Sequence, residues 1–181
     1  MINTVVDSLH EEYNSIISFL EQSKQTSLAS DLNKNFKKIL ILSSASYFES
    51  EIYKIIINCV TQTTNSDPRI INLLKKKAIT QQYHTYFTWG DKDDPSKINK
   101  NANTFFALFG DEFKSTAQKE VKENIELESS INSFIEIGHL RNILVHSNFA
   151  AYQLDNKTTE EIYQLYKNSF IFIDYIKKKL S

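Results

Sequence analysis

An all-α fold, a compact up-and-down bundle of four to six helices, is the architecture this sequence predicts. Three observations carry that expectation. Only 3 Gly and 2 Pro punctuate 181 residues, far too little turn chemistry for a sandwich or barrel of short strands. Apolar residues recur with helical period over long stretches. The length also suffices to bury a core without disulfide or metal staples, and it predicts a single domain spanning 1–181, with a loop and short helices inserted around 90–124.

The elements follow in order. From about Thr4 to Ser23, Val5, Leu9, Tyr13, Ile16 and Leu20 stand at helical spacing. The second and longest periodic stretch runs from about Ser30, where Ser30 or Asp31 supplies a cap, to Thr61. Its stripe passes through Leu42, Ala45, Ile52, Ile56 and Cys59, with Ile41, Phe48 and Ile55 beside it. Asp67-Pro68, a cap followed by a first-turn proline, opens a third helix through Leu73 and Leu74 toward Lys77 and on to Tyr83. Gly90 to Asn103 reads as a loop. Short helices follow at Thr104–Phe109, stopped by Gly110, and from Asp111 to about Asn124. A fifth major helix covers Glu128 to Ser147, with Ile131, Phe134, Ile135, Leu140 and Leu144 inward. The last opens at Thr158, with Glu161 three residues on as a capping box. Lys177, Lys178 and Lys179 complement the negative end of that helix.

The charge balance is near neutral, with a formal net charge of -1. Any nucleic-acid contact is therefore expected to be a local site and not a basic surface. The single Cys59 excludes an internal disulfide and a multi-cysteine zinc site, and fits a reducing cytoplasm, the expected location. The start Met1-Ile2-Asn3 lacks a signal-peptide pattern, and no run approaches the ~18 apolar residues of a membrane span.

The chemistry-bearing segment is Gly138-His139-Leu140-Arg141-Asn142-Ile143-Leu144-Val145-His146. On a helix, His139, Asn142 and His146 fall at i, i+3 and i+7 and share one face. Arg141 projects about 140° away from His146, and its long side chain can sweep back. An imidazole can move a proton near neutral pH. A guanidinium offers a planar fork to phosphate oxygens, and an amide orients a phosphate, a ribose hydroxyl or the imidazole. With the RNA 2′-hydroxyl as an internal nucleophile, such groups suffice for phosphodiester cleavage without a metal or other cofactor. Of the 21 basic residues only Arg69 and Arg141 are Arg, so arginine is the rare choice here. Taken alone, an Arg and a His five residues apart is a weak signal.

Glu49 interrupts the apolar stripe of the second helix, and a buried carboxylate needs a partner. Arg141 is the expected one, either as a plain helix-to-helix salt bridge or as part of the site. His139 is read as packed or hydrogen-bonded support before it is read as a participant. His84, among Tyr83, Tyr86, Phe87 and Trp89, belongs to a cluster expected to be core or a subunit surface, ahead of a base-stacking platform. Lys75, Lys76 and Lys77 read as a solvated helix end. His10 with Glu11 lacks the second ligand pair a metal site needs.

Arg141-Asn142-Ile143-Leu144-Val145-His146 resembles the Arg-Asn-x-x-x-His signature of HEPN domains. The subgroup it most resembles is the RiboL-PSP type, through Ser46-Tyr47-Phe48-Glu49-Ser50-Glu51-Ile52 and Asn103-Thr104-Phe105-Phe106-Ala107-Leu108-Phe109-Gly110 in the same order. The resemblance implies a homodimer with two copies of the motif across a cleft. It also implies metal-independent endoribonuclease cleavage leaving a 2′,3′-cyclic phosphate, in prokaryotic toxin–antitoxin or antiviral defence. Carried over by position, Arg141 and His146 are catalytic, Asn142 supports them, and Glu49 is the acid of the second helix. RNA is the expected substrate, and an antitoxin or defence-system protein a further partner. Two departures stand out. Ser147 follows His146 where the family often has Gly. Asn148 stands where toxins paired with nucleotidyltransferase antitoxins carry Tyr, which weighs against that partner. The alternative is a non-catalytic HEPN module that binds RNA or a partner protein.

Overall fold

The computed structural model describes residues 3–79, 82–90, 100–154 and 156–181. Helix α1 spans Val5–Gln22 and opens with a capping box in which Thr4 and Asp7 satisfy each other's backbone N–H groups. Its inward face is Val6, Asp7, His10 and Tyr13, not the expected stripe, for Val5 and Ile16 are 76% and 50% exposed. The helix is rolled because Asp7 is drawn inward. Its carboxylate accepts hydrogen bonds from Tyr163 Oη at 2.7 Å and Lys167 Nζ at 3.0 Å. His10 stacks on Tyr163 at 3.7 Å and Tyr13 on Phe36 at 3.9 Å.

Helix α2 runs Thr26–Thr63, about 57 Å at ~1.5 Å per residue. It begins before Ser30 and Asp31, which lie within it, and Gln25 holds the cap position without a side-chain bond. Its buried line passes through Leu40, Ile41, Ala45, Phe48, Ile52, Ile55 and Ile56. Leu42 and Cys59 are only partly buried. The apolar face is thus turned from the expected stripe, and Glu49 falls at its edge, half-buried.

Asp67 caps α3, Pro68–Leu74, by accepting from the Arg69 N–H, as the Asp-Pro pair predicts. The helix does not continue to Tyr83. It loosens into a π turn, Lys75–Ile79, and a separate single turn, α4, forms at Tyr83–Tyr86. The expected loop from Gly90 to Asn103 lies largely outside the described residues. Its end pairs with the residues before it as a short antiparallel ladder, β1 Thr88–Trp89 with β2 Lys100–Asn101. The extended chain points Phe87 and Trp89 the same way, and both are buried. Helix α5, Asn103–Ala107, ends at Leu108, and α6, Asp111–Glu123, opens from Gly110, whose φ of 100° suits a glycine.

Helix α7, Ile125–His146, starts earlier than expected because the Asn124 side chain accepts from the Leu127 N–H. It packs against α2, α6, the following two helices and the β1–β2 ladder. Ile131, Phe134, Ile135, Leu140 and Leu144 are all buried, as predicted. The predicted C-terminal helix is two: α8, Thr159–Asn168, with the Thr158–Glu161 capping box, and α9, Phe170–Lys179. The break has a cause in α7. Ser130 Oγ donates to the Asn168 carbonyl at 2.6 Å and accepts from the Phe172 N–H at 2.8 Å. A hydroxyl from a neighbouring helix thus stands where the i→i−4 bond would close. Phe48, Phe134, Tyr166 and Phe172 fill the centre. No helix among the described residues is long and apolar enough to cross a membrane.

Candidate active-site cleft at the end of α7

The last six residues of α7 keep Leu144 in the core and carry three polar side chains, Arg141, Asn142 and His146. Arg141 and Asn142 are half-buried and line a cleft of about 340 Å³, counting its open mouth. Glu49 of α2, Tyr83 and His84 of α4, and Trp89 of β1 complete its rim, over a floor of Phe48 and Phe134. Its enclosed part has room for about one water. On its own, this slot cannot swallow a nucleotide.

Gly138 explains how the α4–β1 segment comes to stand over Arg141. A Cβ at position 138 would overlap the Trp89 ring at Cζ3 and Cε3, so only glycine lets the indole lie directly on α7. That contact offsets the roughly 1 kcal/mol that glycine costs within a helix. The indole Nε1 then donates to the His84 carbonyl at 3.1 Å, tying α4 to β1.

The expected Glu49–Arg141 ion pair does not close among the described residues. Tyr53 Oη donates to Glu49 Oε1 at 2.9 Å, while Arg141 Nη1 donates to Asn142 Oδ1 at 3.1 Å. Water reaches a half-buried carboxylate at the edge of α2, so Glu49 does not require a cation. The two charges still meet in one field. Burial raises the Tyr83 hydroxyl well above its ordinary range; Glu49 adds to the rise and Arg141 opposes it.

His146 ends α7 and is exposed. It does not line the cleft that holds Arg141. Five residues separate the two, which is about 7.5 Å along the axis and about 140° around it. Asn142 lies between, bonded to Arg141 and one helical turn before His146. His139 does not share their surroundings. It is buried beneath β1–β2, close to Gly90. Burial, then nearby Lys100, lowers its pKa, opposed by Glu136 and a bond to the Trp89 backbone. Beside it, Lys100 pairs with Glu136 at 2.8 Å and Lys157 with the same carboxylate at 3.6 Å. His139 therefore supports the ladder and not the cleft.

Sequence reasoning placed Arg141, Asn142 and Glu49 together but missed the walls. Tyr53 was findable, being one turn after Glu49 on the same face. The aromatic run from Tyr83 to Trp89 was visible, and most of it is core as expected, yet Tyr83, His84 and Trp89 also border the cleft. His10 is a packed residue whose pKa is lowered first by burial, with Glu160 3.5 Å away opposing that shift. Among the described residues no group of three His, Cys, Asp or Glu side chains is arranged to hold a metal ion.

Neither the curated proteins nor the solved structures yield a match to this chain. One family model does match, RiboL-PSP-HEPN, over residues 7–181. That span takes in α2, the cleft walls and the polar end of α7, and the chain belongs to the RiboL-PSP-HEPN family.

Proposed function

We propose that this protein is a metal-independent endoribonuclease that works as a homodimer in a prokaryotic toxin or antiviral-defence setting. The observation that carries the reading is the unspent capacity of Arg141. A guanidinium has five N–H donors, and among the described residues Arg141 commits one of them, to Asn142. The rest are available at the mouth of a cleft, the arrangement suited to a phosphate.

The reaction needs little else. A proton acceptor takes the 2′-hydroxyl proton, the 2′-oxygen attacks phosphorus, and the bond to the 5′-oxygen breaks. A proton donor protonates the departing oxygen, leaving a 2′,3′-cyclic phosphate and a 5′-hydroxyl. His146 fills one of these roles and the partner subunit's His146 the other. Arg141 stabilises the charge gathering on the phosphoryl oxygens. Asn142 holds the guanidinium, and Glu49 supports the opposite wall through Tyr53. A second copy brings its own His146 to the site and, with it, a groove wide enough for a strand.

A different reading, a HEPN module that binds RNA or a protein without cutting, is favoured by one fact: His146 stands outside the Arg141 cleft. Incubating wild type and His146→Ala with single-stranded RNA in EDTA separates the two. Cleavage by the wild type that falls at least about 100-fold in the variant supports the nuclease. Equal cutting removes His146 from the reaction, and binding without any cutting selects the alternative.

A further inference from the structure

Directly after His146 the chain turns sharply. Ser147 closes α7, and the Asn148 side chain accepts from the Ala150 and Ala151 N–H groups at 3.1 and 3.3 Å. The Asn148 carbonyl accepts from Ala151 and Tyr152 at 3.1 and 2.9 Å. These bonds shape the turn but do not attach it to the body of the protein. The attachment comes from α2. Lys38 is 4% exposed, and its ammonium donates to the Phe149 carbonyl at 2.7 Å. The same nitrogen stands 5.1 Å from the centre of the Phe149 ring.

A buried ammonium is expensive to desolvate. Among the described residues no carboxylate stands within ion-pair distance of it. Its compensation is one charge-assisted bond to a carbonyl and one aromatic face, both from a residue three places beyond His146. The neighbouring Lys37 does something different. It is half-buried and reaches the Leu154 carbonyl at a longer 3.3 Å.

We propose that Lys38 is a positioning residue for His146: its ammonium, bound to the Phe149 carbonyl, fixes the turn that leaves α7 and thereby the place of the imidazole. An exposed side chain on the last residue of a helix would otherwise share the fraying of that end. This rests on the reading that His146 acts in RNA cleavage. The clamp itself is a structural claim and can be tested without activity.

The experiment compares wild type, Lys38→Met, Lys38→Arg and Lys37→Met on single-stranded RNA in EDTA, with backbone hydrogen exchange on the same samples. Lys38→Met is expected to lower kcat about 10- to 100-fold with KM within about threefold, because misplacing a reacting group by an ångström has that scale of effect. Lys38→Arg, which keeps a charged donor, recovers part of the loss. Lys37→Met keeps kcat within about twofold, since this half-buried lysine holds Leu154 and not the turn after His146, and loss of its charge acts on RNA affinity. In Lys38→Met the Ala151 and Tyr152 amides exchange faster while α1 and α9 keep their protection. A folded Lys38→Met with wild-type kcat overturns the proposal, as does a rise in KM alone matching that of Lys37→Met, or a Lys38→Arg as impaired as Lys38→Met. If Lys38→Met does not fold, Lys38→Gln takes its place. Should the wild type cut no RNA, the functional reading fails alone. The exchange data still decide the clamp, and unchanged protection of Ala151 and Tyr152 sinks it.

Discussion

Two polar clusters in this protein have similar ingredients and opposite states. Around Asp7, every acceptor position is used: Thr4 donates twice, at 2.8 and 2.9 Å, and Tyr163 and Lys167 once each. Around Arg141, a guanidinium and a carboxylate face one cleft, yet each is bonded to a neighbour on its own helix. The first cluster is saturated and joins α1 to α8. The second keeps donors in reserve. A network with every group satisfied rigidifies the fold, whereas one with spare donors at a cleft is open to a ligand.

Three substitutions probe this contrast, from the largest effect to the smallest. Arg141→Lys is expected to reduce RNA cleavage about 100-fold, since a point charge cannot reproduce the fork. The melting temperature should stay within a degree or two of wild type, because the residue spends so little on the fold. Full activity in that variant would take Arg141 out of the reaction.

Asp7→Asn should do the reverse. Burial pushes the Asp7 carboxyl up, but the Tyr163, Thr4 and Lys167 bonds together outweigh it and hold its pKa at about 2 against an ordinary 3.8. A group depressed in the folded state stabilises above its unfolded pKa. That contribution is present at neutral pH and is lost as pH falls from about 4 toward 2. It amounts to about 2 kcal/mol, at ~1.4 kcal/mol per unit. Urea titrations should show that loss at pH 7, with the gap between wild type and Asp7→Asn shrinking in acid. A gap that persists at pH 2 would show that the charge is not its source.

The mildest change is Glu49→Gln, which keeps an acceptor for Tyr53. Its stability cost should stay below about 0.5 kcal/mol, as for substitutions away from a buried network. A cost comparable to that of Asp7→Asn, measured in the same titration, would mean that the two clusters do not differ in kind.

What the sequence disclosed follows the range of each interaction. The Thr158–Glu161 box and the Asp67-Pro68 start are local devices and appear where the residues place them. The burial of Ile131, Phe134, Ile135, Leu140 and Leu144 in α7 was legible because they are large apolar residues in a helix enclosed on more than one side. The roll of α1 was not, since it depends on Tyr163 and Lys167, more than 150 positions away. The split between α8 and α9 was hidden for the same reason, as it depends on Ser130. Arg141, Asn142 and His146 were named from their chemistry and spacing together with the resemblance to HEPN domains, for the spacing alone is weak. That His139 would be buried beneath β1–β2, and that Glu49 would turn to Tyr53, depend on how α4 and β1 close over α7. Lys38 gave no signal, because a lysine in a helix reads as surface until its carbonyl partner is seen.

The seating of the indole on Gly138 has a practical consequence. The chain has one tryptophan, and it stands in the wall of the Arg141 cleft. Its emission therefore comes from a single place, the wall shared with Arg141. Occupancy of the cleft can be followed optically in the unlabelled protein, with no background from a second fluorophore of its kind.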